Sequence, residues 1–193
     1  ADSPKYFYEI IKICKKEKIN ALFVSTEKEL VVLSKNREDF FKKTETKLMI
    51  VNPKIVETCL DKWKTCLFLK EKNIPCPKSI LATDNQKEIS DFIKKIGFPL
   101  IIKPRESRGS RDVYIIKSLE ELNFYKNKIN QPILQEYLLP GEEEYTCGVF
   151  GAFGKTFIII FKRELIDGVT NKAIVCKDKE IEELCKKISK ELD

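Results

Sequence analysis

The chain of 193 residues contains no histidine. That removes the Ser-His and Cys-His pairs that activate nucleophiles, and with no Cys-x-x-Cys pair among seven cysteines a zinc site is a poor fit. Long apolar runs are missing as well. The greasiest strings, such as Phe157 to Phe161, are far too short to span a bilayer, and the opening ADSPKYFYEI lacks the basic-then-apolar layout of a secretory signal. We expect a soluble, cytoplasmic protein with no membrane partner. Its thiols, Cys14, Cys59, Cys66, Cys76, Cys147, Cys176 and Cys185, are expected to be reduced and mostly buried. There is no run of five or more lysines either. The net charge of +6 comes from 36 basic and 30 acidic residues, with the lysines scattered singly and in pairs, which suits a solvated surface better than a nucleic-acid track.

Arginine is also scarce, and its placement is informative. Of the five arginines, Arg105, Arg108 and Arg111 fall in one stretch, while Arg37 and Arg163 stand apart. Clustered guanidinium groups offer planar, forked donors that match phosphate or carboxylate oxygens two at a time. A solvated loop that is basic by chance would have the same composition.

Apolar spacing supplies the elements. Phe7, Ile10, Ile11 and Cys14 predict a helix, INALFVS a buried strand, and Thr26 with Glu29 a capping box that opens a second helix, followed by the strand KLMIV. This alternation predicts a parallel, helix-covered sheet. From Pro53 one longer helix is expected, its stripe running through Ile55, Val56, Cys59, Leu60, Trp63 and Leu67 to the stop at NIPCPKS. Beyond it come the strand SILAT, a helix marked by Ile89, Phe92, Ile93 and Ile96, and the strands LIIK and VYIIK. A helix opened by Ser118 and Glu121 follows, then the strand PILQEYL, the turn LPGEE, a hairpin of YTCGVF and KTFIIIF across Gly151 to Gly154, and a last helix.

Between LIIK and VYIIK, the segment Phe98 to Ile116 (FPLIIKPRESRGSRDVYII) holds Lys103, Ser107, Gly109 and Ser110. A cation, hydroxyls and backbone N–H groups suit an anion, though an exposed hairpin would look similar. It is not a Walker loop, because the lysine precedes the glycine and a strand follows.

Three segments, in order, resemble the ATP-grasp superfamily, in the branch of the carbamoyl phosphate synthetase large subunit and related carboxylate–amine ligases. DKWKTCLFLKEKNIPCP is similar to the family's DK helix, FPLIIKPRESRGSRDV to its phosphate strand and flap, and ILQEYLLPGEEEYTCGV to its interdomain hinge. The upstream YEIIKICKKEKINALFVSTEKELVVLS resembles the domain that precedes them. The resemblance implies an α/β, ATP-grasp fold in three parts. Residues 1–58 would be a partial preceding, Rossmann-like domain, 59–137 the small subdomain with the flap, and 138–193 the start of the C-terminal subdomain.

It further implies that Lys62 and Lys103 contact the phosphates and that Ser107, Gly109 and Ser110 close over them. Glu136, Tyr137 and Leu138 would face adenine, and Glu144 would hold the ribose hydroxyls. Lys62 as an ordinary exposed helix lysine stays open, and so does Glu144 as part of a solvated acidic turn, the expected role of Glu142 and Glu143. Ser107 and Asp112 stand where the family commonly has glycine, implying a stiffer flap. Arg163 is a candidate for a substrate carboxylate or acyl phosphate, or else a surface arginine.

The implied activity is phosphoryl transfer from ATP to a small-molecule carboxylate, giving an acyl phosphate that an amine attacks, with Mg2+ present. The metal's ligands are expected beyond Asp193 and the first strand of the preceding domain before Ala1, so these residues alone are expected to bind nucleotide without turnover. A homodimer is possible on this reading. Two alternatives remain: a nucleotide-binding regulatory domain without a metal site, and a nucleic-acid binder using Arg105, Arg108 and Arg111, which the scattered charge disfavours.

Overall fold

Capping side chains mark most of the helix starts in the computed structural model, which describes residues 3–83, 85–138, 143–152, 155–166 and 169–192. The chain divides into two units, Ala1–Lys64 and Thr65–Asp193.

In the first unit, α1 (Tyr6–Lys16) leads to β1 (Ala21–Phe23) and then to α2 (Glu27–Lys35). The Thr26 hydroxyl oxygen accepts from the Glu29 amide at 3.4 Å, the N-cap half of a capping box, and its O–H donates to the Glu29 carboxylate at 2.8 Å. A helix that the apolar spacing does not announce, α3 (Arg37–Thr44), precedes β2 (Lys47–Met49). It has one buried residue, Phe40, so its periodic signal is nearly empty. The two strands pair in parallel, with Leu22 opposite Leu48. Ile11, Cys14, Leu33, Phe40 and Leu48 form the core of this unit. The expected burial of β1 is not found: Leu22 is partly buried, whereas Phe23 is 70% exposed.

The single long helix expected from Pro53 is two, α4 (Pro53–Leu60) and α5 (Lys62–Glu71). Asp61 between them is extended, with φ −104° and ψ 111°, and its buried carboxylate accepts from the amides of Trp63 (2.9 Å) and Lys64 (3.2 Å). An aspartate placed to cap a new helix has overridden the continuity of the apolar stripe.

The parallel pairing expected of the first unit is found in β1 and β2, and the second unit contains two antiparallel sheets. Its first sheet comprises β3 (Ser79–Leu81), β4 (Leu100–Pro104), β5 (Tyr114–Ile116) and β6 (Pro132–Glu136), in the order β3-β6-β4-β5. One face packs on α6 (Gln86–Ile96) and α7 (Leu119–Lys126), joining Leu100, Ile102, Ile116 and Leu134 to Ile89 and Leu122. Asn85 caps α6 through the Glu88 amide at 2.9 Å, and Gly97 ends it at φ +81°, a left-handed conformation that suits a residue without a Cβ.

The second sheet is β7 (Glu144–Ala152), β8 (Lys155–Ile166) and β9 (Val169–Cys176), followed by α8 (Lys179–Leu192). Here β7 and β8 form the expected hairpin, with Ala152 opposite Lys155. Residues 153 and 154 of its turn, and 139–142 of the LPGEE turn including Glu142, lie outside the described residues. Strand β9 was not foreseen; its burial pattern is almost wholly exposed, which leaves little alternation to read. The thiols are also more open than expected, since only Cys14 and Cys185 are buried. Among the described residues no helix is long and apolar enough to cross a membrane.

Candidate functional site

Lys103 lies on β4, and the register shows which side of the sheet it occupies. Residues opposite one another in an antiparallel ladder share a face, and alternate residues along a strand do too. Ile102, Leu134 and Ile80 therefore lie on the α6/α7 side. Ser79, Gln135 and Ile101 form a row on the opposite side, and Lys103 is two residues along from Ile101.

Polar groups on that second face are joined. The Lys103 ammonium donates to Gln135 Oε1 at 2.7 Å, and Gln135 Nε2 donates to Ser79 Oγ at 2.7 Å while lying 3.7 Å from Cys66 Sγ on α5. Ser79 in turn donates to the Pro77 carbonyl at 2.9 Å. Gln135 is 7% exposed, the buried centre of a network whose other members, Lys103, Ser79 and Cys66, are half-buried. Neighbouring Cys76 has its thiol pushed up by burial and by Cys66. Gln135 was not singled out from the sequence. Its only signal is a polar amide within the otherwise buried strand PILQE.

The loop after β4 begins with a bond from the Arg105 amide to the Gln131 carbonyl at 3.2 Å, and a turn brings the Arg111 amide 3.4 Å from the Arg108 carbonyl. Gly109, Ser110 and Asp112 take positive φ values of 61°, 53° and 55°. Asp112 thus occupies a conformation that favours glycine, whereas Ser107 does not. Ser107 and Arg105 are half-buried; Arg108, Gly109, Ser110 and Arg111 are exposed.

At the hinge, the Glu136 carboxylate accepts from the Lys78 amide at 2.8 Å and lies 3.7 Å from the Lys78 ammonium. Tyr137 is half-buried and Leu138 61% exposed. Glu144 and Arg163 face each other on β7 and β8, with Arg163 Nη2 donating to Glu144 Oε1 at 2.7 Å. Glu143 is held by Lys162 at 2.5 Å and by the Tyr145 hydroxyl, which lower its carboxyl, while the same bond pushes Tyr145 up to about 12. Lys62, the first residue of α5, is half-buried and belongs to the first unit; the other candidates belong to the second. Among the described residues no group of three or more Cys, Asp or Glu side chains is arranged to hold a metal ion, so none is assigned to magnesium.

The ATP-grasp domain model matches residues 59–193, and the model of a PylC-like N-terminal domain matches residues 1–49. An uncharacterized protein of Mycoplasma genitalium is 28% identical over 168 residues, 79% of this chain and 55% of its own length. A carbamoyl-phosphate synthase of Methanobrevibacter smithii is 25% identical over 142 residues, 71% of this chain and 35% of its own. The chain thus spans about half, or less, of the curated relatives it matches. Among solved structures, the carboxyaminoimidazole ribonucleotide synthase of Aspergillus clavatus, complexed with ATP, superposes with a TM-score of 0.74 at 14% identity. That likeness covers 100% of this chain and 51% of the synthase, and establishes the fold. With a lysine strand and loop within the matched residues, this chain belongs to the ATP-grasp domain family.

Proposed function

We propose that the chain binds ATP and that, in the complete enzyme, it serves a carboxylate–amine ligase of the carbamoyl-phosphate-synthase-like kind. The observation that carries this is Lys103, held on the site face of the β3-β6-β4-β5 sheet beside a loop with three left-handed residues, in a chain of the ATP-grasp family. On this reading Lys103 meets the polyphosphate, and Ser107, Gly109 and Ser110 close over it. Backbone groups of Glu136, with Tyr137 and Leu138, take adenine, while Glu144 accepts from the ribose hydroxyls. The family membership and the 25% identity to a carbamoyl-phosphate synthase support the class of reaction.

What these residues contribute is binding and orientation. Lysine ammonium groups offset the charge of the triphosphate and draw it out of water, and a closed loop keeps water from the transferred phosphoryl group. A carboxylate substrate would then leave as an acyl phosphate open to attack by an amine. Arg163, occupied by Glu144, acts on this reading through Glu144.

Calorimetric titration with Mg-ATP tests the assignment. Lys103→Ala should lose about tenfold to a hundredfold in affinity, the worth of one charge-assisted bond to phosphate. Unchanged affinity refutes the role given to Lys103.

A further inference from the structure

We infer that Gln135 is the positioning residue for Lys103, and that its neutral amide holds the ammonium in place without neutralising it for an anionic ligand. The inference rests on the assignment of Lys103 to the nucleotide phosphates.

The orientation of the amide is set twice over. A lysine ammonium has only donors, so the atom facing Lys103 Nζ at 2.7 Å must be the amide oxygen. Ser79 donates to the Pro77 carbonyl at 2.9 Å and also lies 3.4 Å from Cys66 Sγ; with its proton on Pro77, its oxygen accepts from the amide nitrogen at 2.7 Å. Both constraints select the same rotamer. Gln135 Nε2 also lies 3.7 Å from Cys66 Sγ, a second soft acceptor on the same side. The amide is therefore fixed at its nitrogen end by β3 and α5 and presents its oxygen to β4.

Fold geometry makes this contact reproducible. Ser79, Gln135 and Ile101 are register partners in one row, and Lys103 is the diagonal neighbour of Gln135 on the same face, a separation that a long side chain spans. At 7% exposure the Gln135 amide depends on these protein partners, whereas Lys103 and Ser79 are half-buried. A glutamate here would lack the donor that Ser79 accepts and would set a full negative charge against the lysine. That would lower the field available to a polyphosphate. A methionine would fill similar volume with no oxygen for the ammonium.

The experiment compares ATP and adenosine binding by calorimetry for the wild-type chain and for Lys103→Ala, Gln135→Glu, Gln135→Met and Ser79→Ala, with thermal unfolding to check each variant. Gln135→Glu and Gln135→Met should weaken ATP about tenfold and leave adenosine within about twofold, because the effect passes only through the phosphate-facing lysine. Ser79→Ala should weaken ATP by a smaller factor, about threefold, since it removes the acceptor that orients the amide. If Lys103→Ala weakens ATP but both Gln135 variants bind like wild type, the inference is wrong and the Lys103 assignment stands. If Lys103→Ala has no effect, that assignment falls and takes the inference with it. Equal losses for ATP and adenosine would mean that Gln135 supports the fold in general, which also overturns positioning. Should the Gln135 variants fail to fold, Ser79→Ala decides: an ATP-selective loss supports the inference and no loss overturns it.

Discussion

Arg163 and Glu144 form an ion pair across β7 and β8, directly opposite in register, with the guanidinium 2.7 Å from the carboxylate. Arg163 also donates to Thr170 at 3.2 Å, so one side chain bridges all three strands of the sheet. Among the described residues its Nε finds no acceptor. With Glu144 about half exposed the pair adds little to stability, on the order of 0–1 kcal/mol, and its larger effect is to fix where the carboxylate points.

If Glu144 accepts from ribose hydroxyls, Glu144→Ala should weaken ATP about tenfold while leaving dideoxy-ATP unchanged, because that analogue lacks the donors. Arg163→Met should erode the same preference without lowering thermal stability measurably. Equal losses for both nucleotides in Glu144→Ala would remove Glu144 from the ribose site.

Asp61 should matter for stability more than its place in a charged Asp-Lys pair suggests. Asp61 is 3% exposed and its carboxylate caps α5 through two amides, so Asp61→Ala leaves those amides without that acceptor. Denaturant unfolding should show a loss of about 1–2 kcal/mol, and Asp61→Asn, which keeps an accepting oxygen, should lose much less. Equal losses would show that the charge, and not the cap, carries the effect.

A pH dependence follows from Tyr6. Burial, and then the hydrogen bond it donates to Glu29 at 3.1 Å, pushes its phenol from 10.0 up to about 12. The folded state therefore favours the neutral phenol. Below about pH 10 both folded and unfolded chains are protonated and the contribution is fully present; above it the unfolded chain ionises first, and stability falls as pH rises toward about 12. Tyr6→Phe should flatten part of that alkaline decline, measured by unfolding at stepped pH. A decline identical to wild type would show that Tyr6 is not its source.

Much of the local structure could be read in advance. Thr26 and Ser118 announce their helices because a cap serves an amide only three residues away. The loop around Lys103 was conspicuous for the same reason, since its cations and hydroxyls are close neighbours in the chain. The failures share a cause as well. Asp61 sits inside a continuous apolar stripe, and periodicity cannot see a residue that breaks a helix by capping the next one. Helix α3 and strand β9 bury too little to leave a pattern.

Composition and short-range pattern sufficed for the alternation of helices and strands, for the clustered cations and for the likeness to ATP-grasp proteins, because each depends on residues near one another in the chain. The partners of those cations came only with folding. Gln135 is 32 residues from Lys103 and 56 from Ser79, and no spacing rule relates positions so far apart. Antiparallel register brought them into adjoining rows, and the alternation of side chains across the strand then set Gln135 beside the lysine instead of in the apolar core.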